Sequence, residues 1–166
     1  MDGREPRWLQ RARQDIGLRE IPGKQHAPTI VRWLTELGAW WRDDETPWCG
    51  VAVAAWMRDC GLPIPKHWYR AKDWLNWGAP LDYAIPGCVV VFGRNGGGHV
   101  GLCVGQTADL PPRLLILGGN QGNEVNVRAF PRERVIGYRW PIGEPLPAPR
   151  HWALATGIAQ ATTGEA

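Results

Sequence analysis

Thr46-Pro47-Trp48-Cys49-Gly50-Val51-Ala52-Val53-Ala54-Ala55-Trp56-Met57 is the stretch that decides the fold. Thr46 suits a helix N-cap and Pro47 a first helical position. From Cys49 onward almost every residue is apolar, and a helix without a polar face is buried on all sides. Gly61 and Pro63 end it. The sequence therefore predicts a central buried helix with a cysteine in its first turn.

Upstream, Pro6 to Ile16 carries apolar residues at Trp8, Leu9, Ala12 and Ile16, close to helical spacing. Pro28 to Leu37 repeats the pattern, with Gly38 at the position of a C-terminal cap. Tyr69 to Trp77 is expected to form a fourth, shorter helix. Beyond it the period changes. Cys88 to Phe92, His99 to Val104, Arg113 to Leu117, Val125 to Val127 and Val135 to Trp140 are short β-rich runs separated by Gly and Pro clusters. Their short links favour antiparallel pairing. Helices followed by a block of strands indicate an α+β domain, here N-terminal helices on an antiparallel sheet of about five strands. The expected domain spans 1–141, and 142–166, rich in Pro, Ala, Gly and Thr, is expected to be a flexible tail.

The 166 residues fit one domain able to bury a core without disulfides. A net charge of +3 without a dense Lys/Arg run excludes a nucleic-acid footprint. No run of about 18 apolar residues is present, which predicts no membrane span. The charged N-terminus predicts no signal peptide. The eleven tryptophans are expected to serve mainly as core and rim aromatics, with a few left to stack on sugars. Cys49, Cys60, Cys88 and Cys103 form no Cys-x-x-Cys pair, so they are read as thiols made in a reducing cytoplasm, and no metal is expected.

The chemistry centres on Cys49. Unpaired N–H groups and a positive dipole at a helix start stabilise a thiolate; alternatively, Cys49 is a small buried hydrophobe. Asp43, Asp44 and Glu45 favour the helix start but would raise the thiol pKa if close. His99 lies 50 positions downstream, after Gly96-Gly97-Gly98 and at the opening of a strand. That combines access with fixed direction, as a general base requires; a hydrogen-bonded strand-end histidine is the plainer reading. Asn120, in Leu117-Gly-Gly-Asn-Gln-Gly-Asn, is placed to fix the imidazole tautomer, although the run is also ordinary turn chemistry. Gln121 and Asn123 are rivals for the role. Trp48, Gly98 and Gln121, beside these three residues, are the expected substrate contacts. His26, His67 and His151 read as surface groups. Cys103 shares a strand face with His99, but further metal ligands at sensible spacing are missing.

Thr46-Pro-Trp-Cys-Gly-Val-Ala-Val-Ala-Ala-Trp, Ile85-Pro-Gly-Cys-Val-Val-Val-Phe, Gly98-His-Val-Gly-Leu-Cys-Val-Gly and Leu117-Gly-Gly-Asn-Gln resemble the CHAP and NlpC-type peptidoglycan hydrolases, closest to a phage and prophage group. Glu20-Ile-Pro-Gly and Gly137-Tyr-Arg-Trp-Pro also look like that group, and the similarity covers roughly residues 6–141. The resemblance implies a papain-like fold. It also implies endopeptidase or N-acetylmuramoyl-L-alanine amidase activity without cofactor or metal, with Cys49 as nucleophile, His99 as base and Asn120 as third residue. Two departures stand out. Cys88 replaces the Asp that many relatives carry, and Gly118 occupies the place of a Glu found in some CHAP members. Peptidoglycan is the implied partner, reached from the cytoplasm through a holin or as part of a virion tail assembly. The competing reading is a non-catalytic wall- or glycan-binding module, with Trp41, Trp48 or Trp77 as stacking platforms.

Overall fold

The computed structural model describes residues 5–23, 25–44, 46–94 and 96–159. Three α-helices come first: α1 (Arg7–Arg13), α2 (Pro28–Leu37) and α3 (Cys49–Asp59). A 310 helix (Ala71–Asn76) leads into six strands: β1 (Ala79–Leu81), β2 (Val89–Arg94), β3 (Gly97–Gln106), β4 (Leu114–Gly118), β5 (Asn126–Phe130) and β6 (Val135–Trp140). The strands form one sheet in the order β1-β6-β2-β3-β4-β5, with every neighbouring pair antiparallel. The domain is therefore α+β, with six strands rather than about five. The extra strand, β1, contains Pro80, which disguises it in the sequence. Proline lacks a ladder donor, and β1 sits at the sheet edge, where that loss is tolerated.

Helix α3 is the hub. Every residue from Cys49 to Met57 is buried, as its all-apolar sequence requires. It lies on β3 and β4 and is flanked by α1 and α2. Its start differs from expectation. The helix begins at Cys49 with Trp48 as N-cap, so Thr46 and Pro47 lie outside it. Asp43 explains the difference: its Oδ1 accepts from the Thr46 N–H at 2.7 Å and the Thr46 hydroxyl at 2.8 Å, holding Thr46 in a side-chain turn. Residues 69–77, expected to be helical, supply only the 310 helix Ala71–Asn76.

The tryptophans build much of the interior. Trp8, Trp33, Trp48, Trp56 and Trp74 are almost fully buried. Each removes roughly 150–250 Å² from water, on the order of 4–6 kcal/mol by area, before entropy is counted. Their N–H groups find acceptors where the packing allows. Trp8 donates to the Gly87 carbonyl at 2.8 Å, and Trp56 to Asp15 at 2.8 Å.

Part of the segment 142–159 lies along the end of β3. The Gly157 N–H donates to the Gln106 carbonyl and the Gln106 N–H to the Ala155 carbonyl, both at 2.9 Å, and Thr156 bridges Gln106 in parallel. β3 runs past the start of β2, leaving an edge that this segment covers. A Cβ on Gly105 would lie 2.5 Å from the Ala155 carbonyl oxygen, so glycine there permits the approach. Trp152 anchors the segment against Tyr83 and by donating to the Pro147 carbonyl at 2.7 Å. Residues 160–166 lie outside the described residues.

Asp44 ties the segment before α2 to the segment before α3. Its fully buried carboxylate accepts from the Ile21 and Ala27 N–H groups, each at 2.7 Å, and meets His26 Nδ1 at 3.0 Å. His26, expected at the surface, is half-buried here. Burial alone would push the Asp44 carboxyl up, but the two backbone donors and His26 outweigh it and hold the carboxyl below its usual range. A depressed folded-state pKa contributes stability above the unfolded value, lost as pH falls through the folded value. Asp44→Asn is expected to cost about 1.5–3 kcal/mol at neutral pH and to flatten the acid limb of the stability–pH curve. Denaturant melts from pH 2 to 7 check both effects; an unchanged acid limb would assign the acid sensitivity to other groups.

Candidate active site

Cys49 occupies the first helical position of α3 and is 6 % exposed. The N-cap residue, Trp48, makes no side-chain capping hydrogen bond to the helix start. Gly50 is required beside it: a Cβ there would lie 2.5 Å from the Trp68 carbonyl oxygen. Its absence lets the Trp68–Tyr69 backbone cross the helix start and brings Tyr69 and Arg70 to the rim. Cys49 lines a surface depression of about 340 Å³ with Tyr69, Arg70, Lys72 and Gly96–Gly98. Gly98, an expected substrate contact, thus shares the open space of the cysteine.

His99 follows Gly98 directly on β3 and is 1 % exposed. Its imidazole stacks on Phe130 at 5.1 Å and 13° and lies against Phe92 at 6.2 Å and 33°. These rings fix its plane. The helix start and the histidine meet at Gly118-Gly119. A Cβ on Gly119 would strike the Trp48 ring at 2.6 Å and Ala52 at 2.8 Å; one on Gly118 would come within 3.4 Å of His99 Nε2. Two adjacent glycines are what allow α3 to approach the strand end beside His99.

The side chain that meets the imidazole is Gln121, not Asn120. Gln121 Oε1 lies 2.9 Å from His99 Nε2. Asn120 has no hydrogen bond to the imidazole and adopts a left-handed backbone at φ 59°, serving the turn that delivers its neighbour inward. The Gln121 orientation follows from its surroundings. Its Nε2 donates to the carbonyls of Ile116 (3.2 Å) and Asn126 (3.0 Å) and to Asn126 Oδ1 (2.9 Å). Asn126 is fixed in turn, since its Nδ2 donates to the Gln121 carbonyl at 2.9 Å and to the Glu124 carboxylate at 2.8 Å. Carbonyls and an ionised carboxylate only accept, so both amides have a single consistent orientation. Gln121 Oε1 is therefore an acceptor and His99 Nε2 the donor, an arrangement that in the neutral ring leaves the lone pair on Nδ1.

Two expected substrate contacts, Trp48 and Gln121, are buried. Trp48 is 1 % exposed and its indole N–H donates to Glu20 at 3.0 Å, so its face is enclosed by protein. Gln121 is fully buried and positions His99 from behind. Trp77, named as a stacking platform, is likewise buried and donates to the Pro63 carbonyl at 2.8 Å. The acidic run before α3 is engaged elsewhere, Asp43 with Thr46 and Asp44 with the Ile21–Ala27 segment. Glu45 lies outside the described residues.

The remaining thiols differ in kind from Cys49. Cys103 on β3 and Cys88, just before β2, are fully enclosed, and burial, with the neighbouring Cys103 thiol, pushes the Cys88 thiol well up. Burial also raises Cys60. No helix among the described residues is long and apolar enough to cross a membrane. No family model, curated protein or solved structure matches this chain.

Proposed function

We propose that the protein is a papain-like cysteine hydrolase of peptide or amide bonds in peptidoglycan, with Cys49 as nucleophile, His99 as base and Gln121 as the residue that orients the base. The observation that carries this reading is the 2.9 Å contact between Gln121 Oε1 and His99 Nε2. Its fixed polarity leaves Nδ1 able to accept a proton, in a histidine that directly follows the glycines bordering the Cys49 depression.

In the proposed reaction His99 Nδ1 takes the Cys49 thiol proton. The thiolate attacks the carbonyl carbon, and the backbone N–H of Cys49 holds the oxyanion. As the tetrahedral intermediate collapses, the C–N bond breaks and His99 gives its proton to the leaving amine. Water then adds to the thioester, losing a proton to His99, and the acid departs as the thiol re-forms. The helix start favours the thiolate throughout.

Cell-wall polymer as substrate rests on the resemblance of the Cys49, His99 and Gln121 segments to CHAP and NlpC-type hydrolases. Action on the wall from within through a holin, or from a virion tail, belongs to the same reading. Iodoacetamide under native conditions is the direct test. Cys49 is expected to be alkylated first, Cys60 slowly, and Cys88 and Cys103 only after unfolding. Release of soluble muropeptides from purified peptidoglycan should stop as Cys49 is modified. Full turnover by protein alkylated at Cys49 would exclude the mechanism.

A further inference from the structure

The Cys49 depression shares Pro47, Tyr69 and Arg70 with a neighbouring one of about 540 Å³ bounded by Trp40 and Trp41. Both volumes fall within the roughly 300–1,000 Å³ of ligand-binding clefts. We infer that this joined groove takes a sugar-linked acidic peptide, with a sugar ring stacked on Trp40 and a peptide carboxylate held by Arg70 and Lys72. The inference rests on the hydrolase reading for what happens at Cys49, but the binding geometry is argued separately.

Trp40 is 89 % exposed in a protein whose other tryptophans are buried or half-buried. It is also braced. Its ring meets Trp41 at 5.2 Å and 70°; Trp41 in turn stacks on Trp68 at 6.0 Å and 24° and meets Tyr69 at 5.4 Å and 80°. An aromatic wall standing in water at the mouth of a cleft suits a ligand with an apolar face and polar edges. The C–H face of a pyranose has that form, and its slight positive charge complements the negative indole face. The Trp41 ring is half-committed to the wall, which leaves Trp40 as the platform.

The charged floor has the opposite preference. Among the described residues neither Arg70 nor Lys72 has a carboxylate partner. The Arg70 guanidinium lies 5.5 Å from the Tyr69 ring centre, and the Lys72 stem passes over Gly98, its Cγ 3.0 Å from the position of a Cβ there. Of the lining acids, Asp43 is engaged by Thr46, and Asp73 sits in the first turn of the 310 helix. Two cations beside the nucleophile call for an anionic group close to the scissile bond, and the indole beyond them calls for a sugar on the same molecule. An acidic peptide without a sugar, or a bare neutral glycan, would satisfy only one of the two.

The test uses the full chain carrying Cys49→Ala, titrated by calorimetry with three soluble probes: a disaccharide-linked acidic stem peptide, the same peptide without sugar, and an N-acetylglucosamine oligosaccharide. The glycopeptide is expected to bind at least about tenfold tighter than either fragment. Adding Trp40→Ala should reduce glycopeptide affinity to that of the sugar-free peptide. Adding Arg70→Met with Lys72→Met should weaken both peptides about tenfold and remove their salt dependence, leaving the oligosaccharide unchanged. Unchanged glycopeptide binding after Trp40→Ala, equal binding of a peptide whose carboxylates are amidated, or no binding of any probe would overturn the inference. Turnover by the wild-type chain separates the two ideas. Cleavage with wild-type KM in the groove variants sinks the groove assignment alone, whereas the expected binding pattern without Cys49-dependent cleavage sinks the hydrolase reading alone.

Discussion

Cys49→Ala is expected to lower turnover of purified peptidoglycan to background, a loss on the order of 10⁴–10⁶-fold, while changing the unfolding free energy by no more than about 1 kcal/mol. The two numbers diverge because of where the sulfur sits. At the first position of α3, Cys49 lines an open depression on one side, and alanine keeps the helical backbone and its contacts with the core. On the proposed mechanism only the nucleophile is lost. His99→Ala should behave differently. Turnover falls about 10²–10⁴-fold, the usual share of a general base, and stability falls by about 1–3 kcal/mol. The stability loss arises because the imidazole fills the space beside Phe130 and Phe92 and because Gln121 Oε1 loses its donor. A core cysteine with no chemical role would show the reverse pattern, with little change in turnover. Parallel muropeptide release assays and urea melts of the two variants decide between these accounts.

What the sequence carries depends on the kind of signal. Helix α3 and the flanking α2 are legible because burial on all sides and a Pro-to-Gly frame leave one solution; Pro28–Leu37 and Val135–Trp140 match their observed limits residue for residue. The start of α3 is not legible, because Asp43 captures Thr46 by a local hydrogen bond that competes with capping. β1 is hidden by Pro80, whose tolerance depends on an edge position that only the assembled sheet defines. Residues 142–159 have a tail-like composition, yet they are ordered by an open edge of β3, a partner far away in the chain. The choice between Asn120 and Gln121 has the same character. Both amides stand in a Gly-rich turn, and only the left-handed conformation of Asn120 directs the next side chain inward. The network that fixes Gln121 includes Asn126 and Glu124, and neither residue had a distinguishing local pattern. Sequence gives the number of indoles but not which of them face water, so it singles out Trp48 and Trp77, which are buried, and not Trp40, which is exposed.

Gln121→Leu is expected to reduce kcat by about 10²-fold with a much smaller change in KM, and to cost about 1–3 kcal/mol in stability. The reason lies in the direction of the hydrogen-bond chain. Glu124, whose other oxygen takes Arg19 at 2.8 Å, accepts from Asn126; Asn126 accepts from Gln121; Gln121 accepts from His99. Each step forces the next, so His99 Nε2 keeps its proton and, in the neutral ring, the basic lone pair is at Nδ1. Leucine keeps the bulk but ends the chain one step early. The imidazole then loses the acceptor that holds its proton at Nε2, and the fraction competent as a base falls. Gly118→Ala should give a related kinetic loss by a different route, because its Cβ would sit 2.5 Å from Gln121 Oε1 and displace the carboxamide from the ring. Gln121→Glu is the harsher change: it faces an acceptor oxygen toward the Ile116 and Asn126 carbonyls, and about 3–5 kcal/mol of stability is expected to go with it. Nitrogen-15 NMR of the His99 ring reads the cause directly. The wild-type chain should show a single Nε2–H tautomer, and Gln121→Leu a mixture. Unchanged kcat in Gln121→Leu, or a wild-type ring protonated at Nδ1, would mean that the carboxamide merely fills space behind the histidine.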